Sequence, residues 1–192
     1  MKFRLVAYNV LTVFVLSGCC NPKPEETLPV NLRLQETDSW CWAASGEMIM
    51  EYMGANIEQC DEANKRLGRN DCCNKPVPWS CIHGGWPEFD KYGFTSKHTS
   101  NAALSWKQVK SQLSCKKKPF AFTWKFEGED NGGHMMVATG YRTIDGINFV
   151  SGYDPLPYDP LLGTNKAYIP YETYVSGSYY THWDDYYDVT KK

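Results

Sequence analysis

One cysteine of the sequence lies where a reactive thiolate is favoured. Cys41 falls within the segment 35–45, QETDSWCWAAS, at the start of a stretch whose apolar residues predict a helix. The unpaired N–H groups and the dipole at the first turn of a helix stabilise an anion, so a thiol there is a candidate nucleophile. The alternative is that Cys41 is a small buried apolar side chain, the commoner fate of a lone cysteine.

A thiolate nucleophile needs a partner that accepts and returns a proton, and His134 is the best placed of the four histidines. It follows a glycine pair in the segment 131–141, NGGHMMVATGY, at the edge of a predicted apolar strand. A histidine at the start of a core strand needs a polar partner for its ring. His83, His98 and His182 lie in polar or loop contexts, and we interpret them as solvated surface residues.

The residues around Cys41 and His134 resemble those of the papain family of cysteine peptidases. Gln35 lies six residues before Cys41, Trp42 follows it, and the histidine strand runs through small and apolar residues to a glycine and a tyrosine. The resemblance implies that Gln35 gives a side-chain N–H to an oxyanion hole, together with the backbone N–H of Cys41. Two fixed donors of this kind stabilise the negative oxygen of a tetrahedral intermediate.

The resemblance also implies a third residue, which orients the imidazole by accepting its Nδ1–H. In papain this residue is an asparagine on the strand after the histidine. The matching strand here reads INFVSGYDP over 147–155, so the resemblance assigns Asp154. Asp154 is alternatively the residue that opens the following Pro-rich turn, as aspartate commonly does. Asp145 and Asp159 are weaker candidates for the same role.

A loop over 81–87, CIHGGWP, is similar to the Cys-x-Gly-Gly-aromatic-Pro loop of plant and lysosomal papain relatives. By that resemblance Gly85 pairs with the substrate backbone, because a residue without Cβ permits close approach, and Trp86 and Pro87 wall the pocket. The same letters are compatible with a plain turn. The sequence departs from the family in the interval from Cys41 to His134, which is shorter than in papain and the cathepsins.

The elements that must position these residues begin with a helical front half. A helix is predicted over 40–53, capped by Asp38 or Ser39 and apolar on several faces, so it should be buried. Further helices are predicted over 61–68 and 101–114.

The back half of the chain favours strands. They are predicted over 120–126, 135–141 and 147–153, where apolar runs are bounded by glycine. The C-terminal residues that also favour strands are Tyr168, Ile169, Tyr171, Tyr174, Val175, Tyr186, Tyr187 and Val189. The predicted class is α+β, and the resemblance makes it papain-like: a buried N-terminal nucleophile helix in a helical half, packed against a C-terminal antiparallel β half.

The N-terminus predicts export. Residues 1–18 combine a basic start, an apolar run too short to span a bilayer and a small-residue ending before Cys19, and they resemble a bacterial lipoprotein signal peptide. We therefore expect a lipidated Cys19 and a Pro-rich tether over 19–32, with the catalytic domain over 33–192. The expected location is a bacterial membrane surface, periplasmic or at the cell exterior. The alternative is an ordinary signal peptide.

The sequence has eight cysteines, and export favours disulfides. The candidates beyond the N-terminal pair and Cys41 are Cys60, Cys72, Cys73, Cys81 and Cys115. A structural zinc site is the alternative, but the spacing lacks paired C-x-x-C knuckles, so we expect no metal and no other cofactor. Connectivity stays open at this point.

The expected function is peptide-bond hydrolysis through a thioester acyl-enzyme, with a peptide or protein as substrate. An acyltransferase or cell-wall amidase with the same triad and an inactive binding lipoprotein are the alternatives. A formal net charge of −2 gives no basic field for nucleic acid. The stretch from Cys19 to Gln35 is too short for an inhibitory domain, so restraint is expected from the tether, a narrow pocket or a separate inhibitor protein. Alternatively, residues 20–33 fold back into the cleft as a plug.

Overall fold

The computed structural model describes residues 20–128, 132–156 and 165–192. Its central helix, α1 (Cys41–Tyr52), agrees with the prediction over 40–53. The buried residues of α1 lie on every side of it: Trp42, Ala43, Ala44, Ser45, Gly46, Met48, Ile49 and Met50. A helix that is apolar or small all round is stable only when enclosed by protein, which is why α1 is central.

The predicted cap of α1 is wrong. Trp40 is the N-cap residue, and no side chain accepts a hydrogen bond from the first turn. Ser39 adopts a left-handed backbone with φ of 66°. The chain therefore turns sharply one residue before the cap, and neither Ser39 nor Asp38 occupies the capping position.

Two further helices agree in position with the predictions over 61–68 and 101–114. The first is α2 (Gln59–Leu67). The second, α3 (Trp106–Lys110), begins later than predicted because Ser105 forms a capping box with Gln108, and it continues as a π-helical turn over Ser111–Cys115. Short 3₁₀ turns cover Trp79–Cys81 and Phe89–Tyr92.

The β half is one antiparallel sheet, with strand order β2-β7-β3-β4-β5-β6 and β1 paired to β4. Its strands are β1 (Glu26–Thr27), β2 (Phe94–His98), β3 (Phe120–Phe126), β4 (Gly133–Ile144), β5 (Ile147–Tyr153), β6 (Lys166–Pro170) and β7 (Tyr180–Lys191). The three strands predicted between residues 120 and 153 are confirmed. Helix α1 packs against β4 and β3, so the predicted α+β class is confirmed as well.

One stretch of the C-terminal strand prediction is wrong. Tyr171–Val175 form a short helix, α4, rather than a strand. The helix turns Tyr174 into the core, where its hydroxyl donates to Asp185 Oδ1 at 2.7 Å. A buried carboxylate requires such a partner, and this requirement overrides the strand propensity of tyrosine and valine.

Residues 20–30 pack on the sheet instead of forming the expected tether. Backbone N–H of Lys23 donates to Ser114 Oγ at 3.0 Å, and the Tyr141 hydroxyl donates to the Lys23 carbonyl at 2.6 Å. Leu28 and Val30 are 4% and 5% exposed. Burial of these two apolar side chains lowers the free energy of the segment by more than solvation of its prolines and charges does. The folded unit therefore begins well before residue 33.

The alternative of a plug in the cleft is also wrong for this segment. Leu28 N–H donates to the Thr139 carbonyl at 2.7 Å, and β1 pairs with Gly140 and Tyr141. These partners lie more than four residues along β4 from His134. The predicted signal peptide and Cys19 lie outside the described residues.

Among the described residues, three disulfides join six cysteines. Cys20 bonds to Cys115, Cys60 to Cys73 and Cys72 to Cys81. The last two staple the loop between α2 and the first 3₁₀ turn, and the first fixes the start of the described chain to the end of the π-helical turn. Within 20–128, 132–156 and 165–192, no helix has the length and apolar character needed to cross a bilayer.

A protein beginning at Leu32 is expected to be clearly less stable than one beginning at Cys20. The truncation removes the disulfide to Cys115, strand β1 and the buried Leu28 and Val30. Burial of each aliphatic side chain contributes about 2 kcal/mol, and a disulfide contributes about 2–4 kcal/mol. Denaturant unfolding of both proteins measures the difference. A Cys20→Ala/Cys115→Ala double variant isolates the disulfide, and equal unfolding midpoints would contradict the expectation.

Candidate active site

Cys41, His134 and Asp154 meet where α1 abuts the sheet. Cys41 is the first residue of α1 and the only free cysteine in the described part of the chain. His134 is the second residue of β4, and Asp154 directly follows β5. Strands β4 and β5 pair with Val137 opposite Tyr153, which brings the histidine and the aspartate to the same end of the hairpin.

The imidazole of His134 is held between the other two side chains. Its Nε2 lies 2.7 Å from Asp154 Oδ1, and the ring also hydrogen-bonds with Cys41. The expectation that the aspartate accepts from Nδ1 is therefore wrong: Nε2 faces the carboxylate, which leaves Nδ1 for the thiol. Asp154 Oδ1 accepts a second hydrogen bond from Leu156 N–H at 2.9 Å, which fixes the carboxylate.

The electrostatics of this arrangement favour an imidazolium. Burial by itself would lower the pKa of His134, but hydrogen bonds to Asp154 and Cys41 outweigh it and raise the pKa to about 9. Burial would raise the pKa of Asp154, but the hydrogen bonds from His134 and Leu156 N–H outweigh this effect and leave its pKa lowered. Charged imidazolium and charged carboxylate therefore coexist at neutral pH.

The catalytic rate is expected to fall on the alkaline side of its pH profile only near pH 9. Because the pKa of His134 is raised, its proton stays on the ring through neutral pH and leaves as the pH rises through about 9. Loss of this proton removes the acid that protonates a leaving amine. The folding free energy contributed by this group follows the same direction, being complete below about pH 6.5 and lost as pH rises through about 9. A pH profile of kcat/KM measures the limb.

The matched variant for that profile is Asp154→Asn. It keeps an acceptor oxygen but removes the negative charge that holds the proton on His134. The alkaline limb should shift to lower pH in this variant. An unshifted limb in Asp154→Asn, or a limb near the ordinary histidine value in the parent, would contradict the assignment.

The N-terminus of α1 leaves its donors free for an anion. No side chain caps it, and its first turn holds no acidic residue. The tryptophans on either side of Cys41 donate their indole N–H groups to the next loop, Trp40 to the Cys81 carbonyl at 2.8 Å and Trp42 to the His83 carbonyl at 3.0 Å. The start of α1 and the loop over 81–87 are therefore one unit.

Gln35 lies beside the three residues without entering the cavity at Cys41. Its backbone N–H donates to the Pro155 carbonyl at 2.8 Å, immediately after Asp154. Its side-chain Nε2 donates to the Thr37 carbonyl at 3.0 Å, and its Oε1 is buried without a hydrogen-bond partner among the described residues. An amide nitrogen carries two hydrogens, so one N–H of Gln35 remains after the bond to Thr37.

A groove runs from Cys41 across the sheet. Its inner cavity, about 370 Å³, is lined by Ser39, Cys41, Trp42, Arg66, Gly84, Gly85, Trp86, Thr123, Gly132, Gly133, His134, Met135 and Trp183. An outer cavity of about 590 Å³ shares Gly85, Trp86, Thr123, Met135 and Trp183 with it. The two cavities are thus parts of one continuous cleft.

Of the two glycines in the loop, only Gly85 is required by packing, because a Cβ on Gly84 would meet no neighbouring atom. A Cβ on Gly85 would lie 2.5 Å from Arg66 Nε and 2.8 Å from Trp42 Cε2. Arg66 also stacks on Trp86, with its guanidinium carbon 3.8 Å from the ring centroid, and pairs with Glu88 Oε1 at 3.0 Å. This stack holds the ring of Trp86, which lines both cavities and is 52% exposed.

Residues 27–188 match the Peptidase_C39 like family. The chain belongs to this family. Its members are cysteine peptidases of papain type, so the predicted papain-like family and the predicted enzyme class are confirmed. A comparison with curated protein sequences found no match.

Solved structures agree with this Peptidase_C39-like assignment at the level of the fold. A structure from work on the mite allergens Blo t 1 and Der p 1 superposes with a TM-score of 0.55 at 10% identity, covering 90% of this chain and 73% of that one. Digestive procathepsin L 3 of Tenebrio molitor gives 0.53 at 11% identity, covering 90% and 72%. The peptidase domain of Streptococcus ComA gives 0.47 at 13% identity, covering 85% and 99%. The two superpositions with TM-scores above 0.5 confirm the papain-like fold predicted from sequence.

The other residues predicted for the site of this peptidase do not all lie near Cys41 and His134. Pro87 is buried and lines the outer cavity. Asp145 lies in the turn that joins β4 to β5, at the end of the hairpin away from His134, so it is no partner for that ring. Asp159 lies outside the described residues.

His182 is not the solvated surface residue that we predicted. It is buried, with Nδ1 2.9 Å from the Tyr174 carbonyl and Nε2 3.2 Å from Asp185 Oδ2. His83 and His98 are exposed, as predicted, and His98 lines the outer cavity.

Three residues of the inner cavity lie outside every motif recognised in the sequence: Arg66, Thr123 and Trp183. Arg66 lies on α2, Thr123 on β3 and Trp183 on β7, all far from the motifs in sequence. Nothing in the sequence around these three residues indicates a cavity, because tertiary packing alone brings α2, β3 and β7 to the groove.

Proposed function

We propose that this peptidase cleaves peptide bonds through a thioester acyl-enzyme, with Cys41 as nucleophile, His134 as acid and base, and Asp154 as the orienting group. One observation carries the proposal. The imidazole lies 2.7 Å from Asp154 Oδ1 and hydrogen-bonds with the free thiol at the uncapped N-terminus of α1. Nucleophile, base and orienting group in hydrogen-bonded sequence are the signature of nucleophilic catalysis.

The reaction proceeds in two halves. In acylation, the Cys41 thiolate attacks the carbonyl carbon, the C–S bond forms, and His134 gives its proton to the amine as the C–N bond breaks. In deacylation, His134 takes a proton from water, the resulting hydroxide attacks the thioester, and the acid leaves as the thiolate is restored. Asp154 keeps its charge throughout and stabilises the imidazolium.

The negative oxygen of each tetrahedral intermediate needs donors. The Cys41 backbone N–H at the start of α1 is the first, and the remaining amide N–H of Gln35 is the proposed second. Gln35 supports this role by its backbone bond to Pro155, which ties it to the loop of Asp154. The bond from Nε2 to the Thr37 carbonyl holds the side-chain amide in place, while its buried Oε1 has no hydrogen-bond partner among the described residues.

The groove is proposed to bind an extended peptide. Gly85 lines both cavities, where its backbone is proposed to pair with the substrate main chain, and Trp86 and Pro87 are proposed to wall the substrate. The outer cavity adds Asp90 and Asp184, neither of which forms a salt bridge in the described part of the chain. Carboxylates beside aromatic rings suit a lysine or arginine side chain of the substrate.

We further propose that the peptidase is exported and anchored to a bacterial membrane by a lipid on Cys19. The signal-like residues 1–18 support this location. The three disulfides support it too, because such bonds persist in oxidising compartments and are rare in the cytosol.

A peptide-library cleavage assay tests the function. The protein beginning at Cys20 should cleave library members, Cys41→Ala should not, and preferred peptides should carry a basic residue near the scissile bond. An Asp90→Asn/Asp184→Asn variant should lose that preference while still cleaving. Thioester formation without hydrolysis, but with transfer to an added amine, would favour an acyltransferase. Absence of labelling of Cys41 by a thiolate-directed probe would favour an inactive binding protein.

A further inference from the structure

A buried glutamine on α2 holds the backbone on both sides of Gln35. Gln59 is 1% exposed. Its Nε2 donates to the Leu34 carbonyl at 2.8 Å, and its Oε1 accepts from Glu36 N–H at 3.0 Å. The second Nε2 hydrogen goes to Glu47 Oε2, also at 2.8 Å. Both donors and the acceptor of this one amide are therefore engaged.

These bonds reach a segment that no regular element supports. Residues 34–36 belong to neither a helix nor a strand, and the other backbone hydrogen bond at this point is the one from Gln35 to Pro155. A side chain on an irregular segment is only as well placed as its backbone, and misplacement by about 1 Å can cost about a hundredfold in rate. The two hydrogen bonds between the Gln59 side chain and the backbone of Leu34 and Glu36, which we call the clamp, fix this backbone in place.

The third bond links the clamp to the nucleophile. Glu47 lies on α1, the helix that begins with Cys41. Burial raises the pKa of Glu47, and the hydrogen bond from Gln59 acts against that rise. Through Gln59, the segment of Gln35 and the helix of Cys41 are fixed to each other as well as to α2.

We propose that Gln59 is a positioning residue of the reaction, which fixes the two oxyanion donors, the amide of Gln35 and the backbone N–H of Cys41, at their mutual distance. This inference rests on the proposed oxyanion role of Gln35. Gln59 touches neither substrate nor the reacting atoms, and its effect passes through the 34–36 backbone and α1. Its replacement should therefore change kcat and leave KM nearly unchanged.

Gln59→Met tests the inference, since methionine fills a similar volume without hydrogen bonds. We expect kcat to fall about ten- to a hundredfold and KM to stay within about twofold. Gln112→Met is the matched control. Gln112 is equally buried at 2%, on the π-helical turn, and its Nε2 has no partner among the described residues. This control should keep its kcat.

A double-variant cycle separates positioning from general stability. In a Gln35→Ala background, Gln59→Met should lower kcat by less than about threefold, because the donor that it positions is already absent. An equal fall in both backgrounds, or an equal fall in Gln112→Met, would overturn the inference. A normal kcat in Gln35→Ala alone would overturn the oxyanion role itself, which distinguishes the two failures.

A milder variant covers the case in which Gln59→Met does not fold. Gln59→Asn keeps the amide but is one methylene shorter, so it cannot span Leu34, Glu36 and Glu47 together. Thermal melting and thiol-probe titration give the folded fraction, and kcat is expressed per titrated site. A kcat per site equal to that of the parent in Gln59→Asn would overturn the inference, and a reduced kcat at unchanged KM supports it.

Discussion

Replacement of Cys41 by alanine is expected to remove turnover, with kcat reduced on the order of ten-thousandfold or more. The thiol is the only group at the uncapped start of α1 that can form a covalent intermediate, and without it the acyl-enzyme route is closed. Residual cleavage would come only from the oxyanion donors and water. Steady-state assays measure kcat of the parent, and single-turnover assays on the same peptide measure the residual cleavage by the variant.

His134→Ala should cost nearly as much, and the double variant little more than either single one. Nucleophile and base act as a unit, so their losses do not add. The fold should persist, because His134 is at the edge of β4 and its ring serves the site rather than the core. Asp154→Ala should cost less, since this residue only orients and stabilises the imidazolium.

The matched control for these variants uses other cysteines. A Cys20→Ala/Cys115→Ala protein loses a disulfide whose cysteines line neither cavity of the groove, and it should retain kcat once its lower stability is allowed for. Activity that survives in Cys41→Ala but disappears in the disulfide variant would contradict the assigned nucleophile. So would a thiol probe that labels the parent and Cys41→Ala to the same extent.

The meeting of Cys41, His134 and Asp154 could be predicted because the local patterns around them are strong. A cysteine at the head of an all-round apolar helix and a histidine at the head of an apolar strand leave few alternatives, and the structure brings both together with Asp154. Which ring nitrogen meets which partner could not be predicted, because it depends on the angle between α1 and the β4–β5 hairpin. No sequence interval encodes that angle.

The errors share one physical cause, a tertiary partner that overrides local preference. Leu28 and Val30 sit in a segment whose prolines and charges favour a solvated tether, yet the sheet offers them an apolar site. Tyr174 has strand propensity, but the buried carboxylate of Asp185 requires its hydroxyl. His182 was predicted on the surface because nothing in the sequence indicates that its ring lies near the buried carboxylate of Asp185.

Gln59 shows the same limit from the functional side. Its neighbours in sequence predict a polar helix, and nothing in them indicates bonds to Leu34 and Glu36 more than twenty residues away. Residues that act through another residue's backbone carry no motif of their own. They become visible only when the hydrogen bonds of an irregular segment are accounted for one by one.

Gln35→Ala is expected to lower kcat by about a hundred- to a thousandfold, with little change in KM. The loss is that of one donor to an oxygen that is negative only in the intermediate, so ground-state binding of the substrate is hardly affected. The backbone bond from Gln35 N–H to Pro155 persists in the variant, and the loop of Asp154 should keep its place. Steady-state kinetics on a cleaved library peptide give both constants.

Gln35→Glu sharpens this test because it keeps the shape and changes the chemistry. A carboxylate offers no N–H, and its negative charge opposes the negative oxygen of the intermediate, so its kcat should lie below that of Gln35→Ala. Lowering the pH toward the glutamate pKa should recover part of the difference between the two variants, since the protonated acid carries no charge. A rise in KM at unchanged kcat in Gln35→Ala would instead make Gln35 a substrate-binding residue. In that case the Cys41 backbone N–H would need another donor from the groove as its partner.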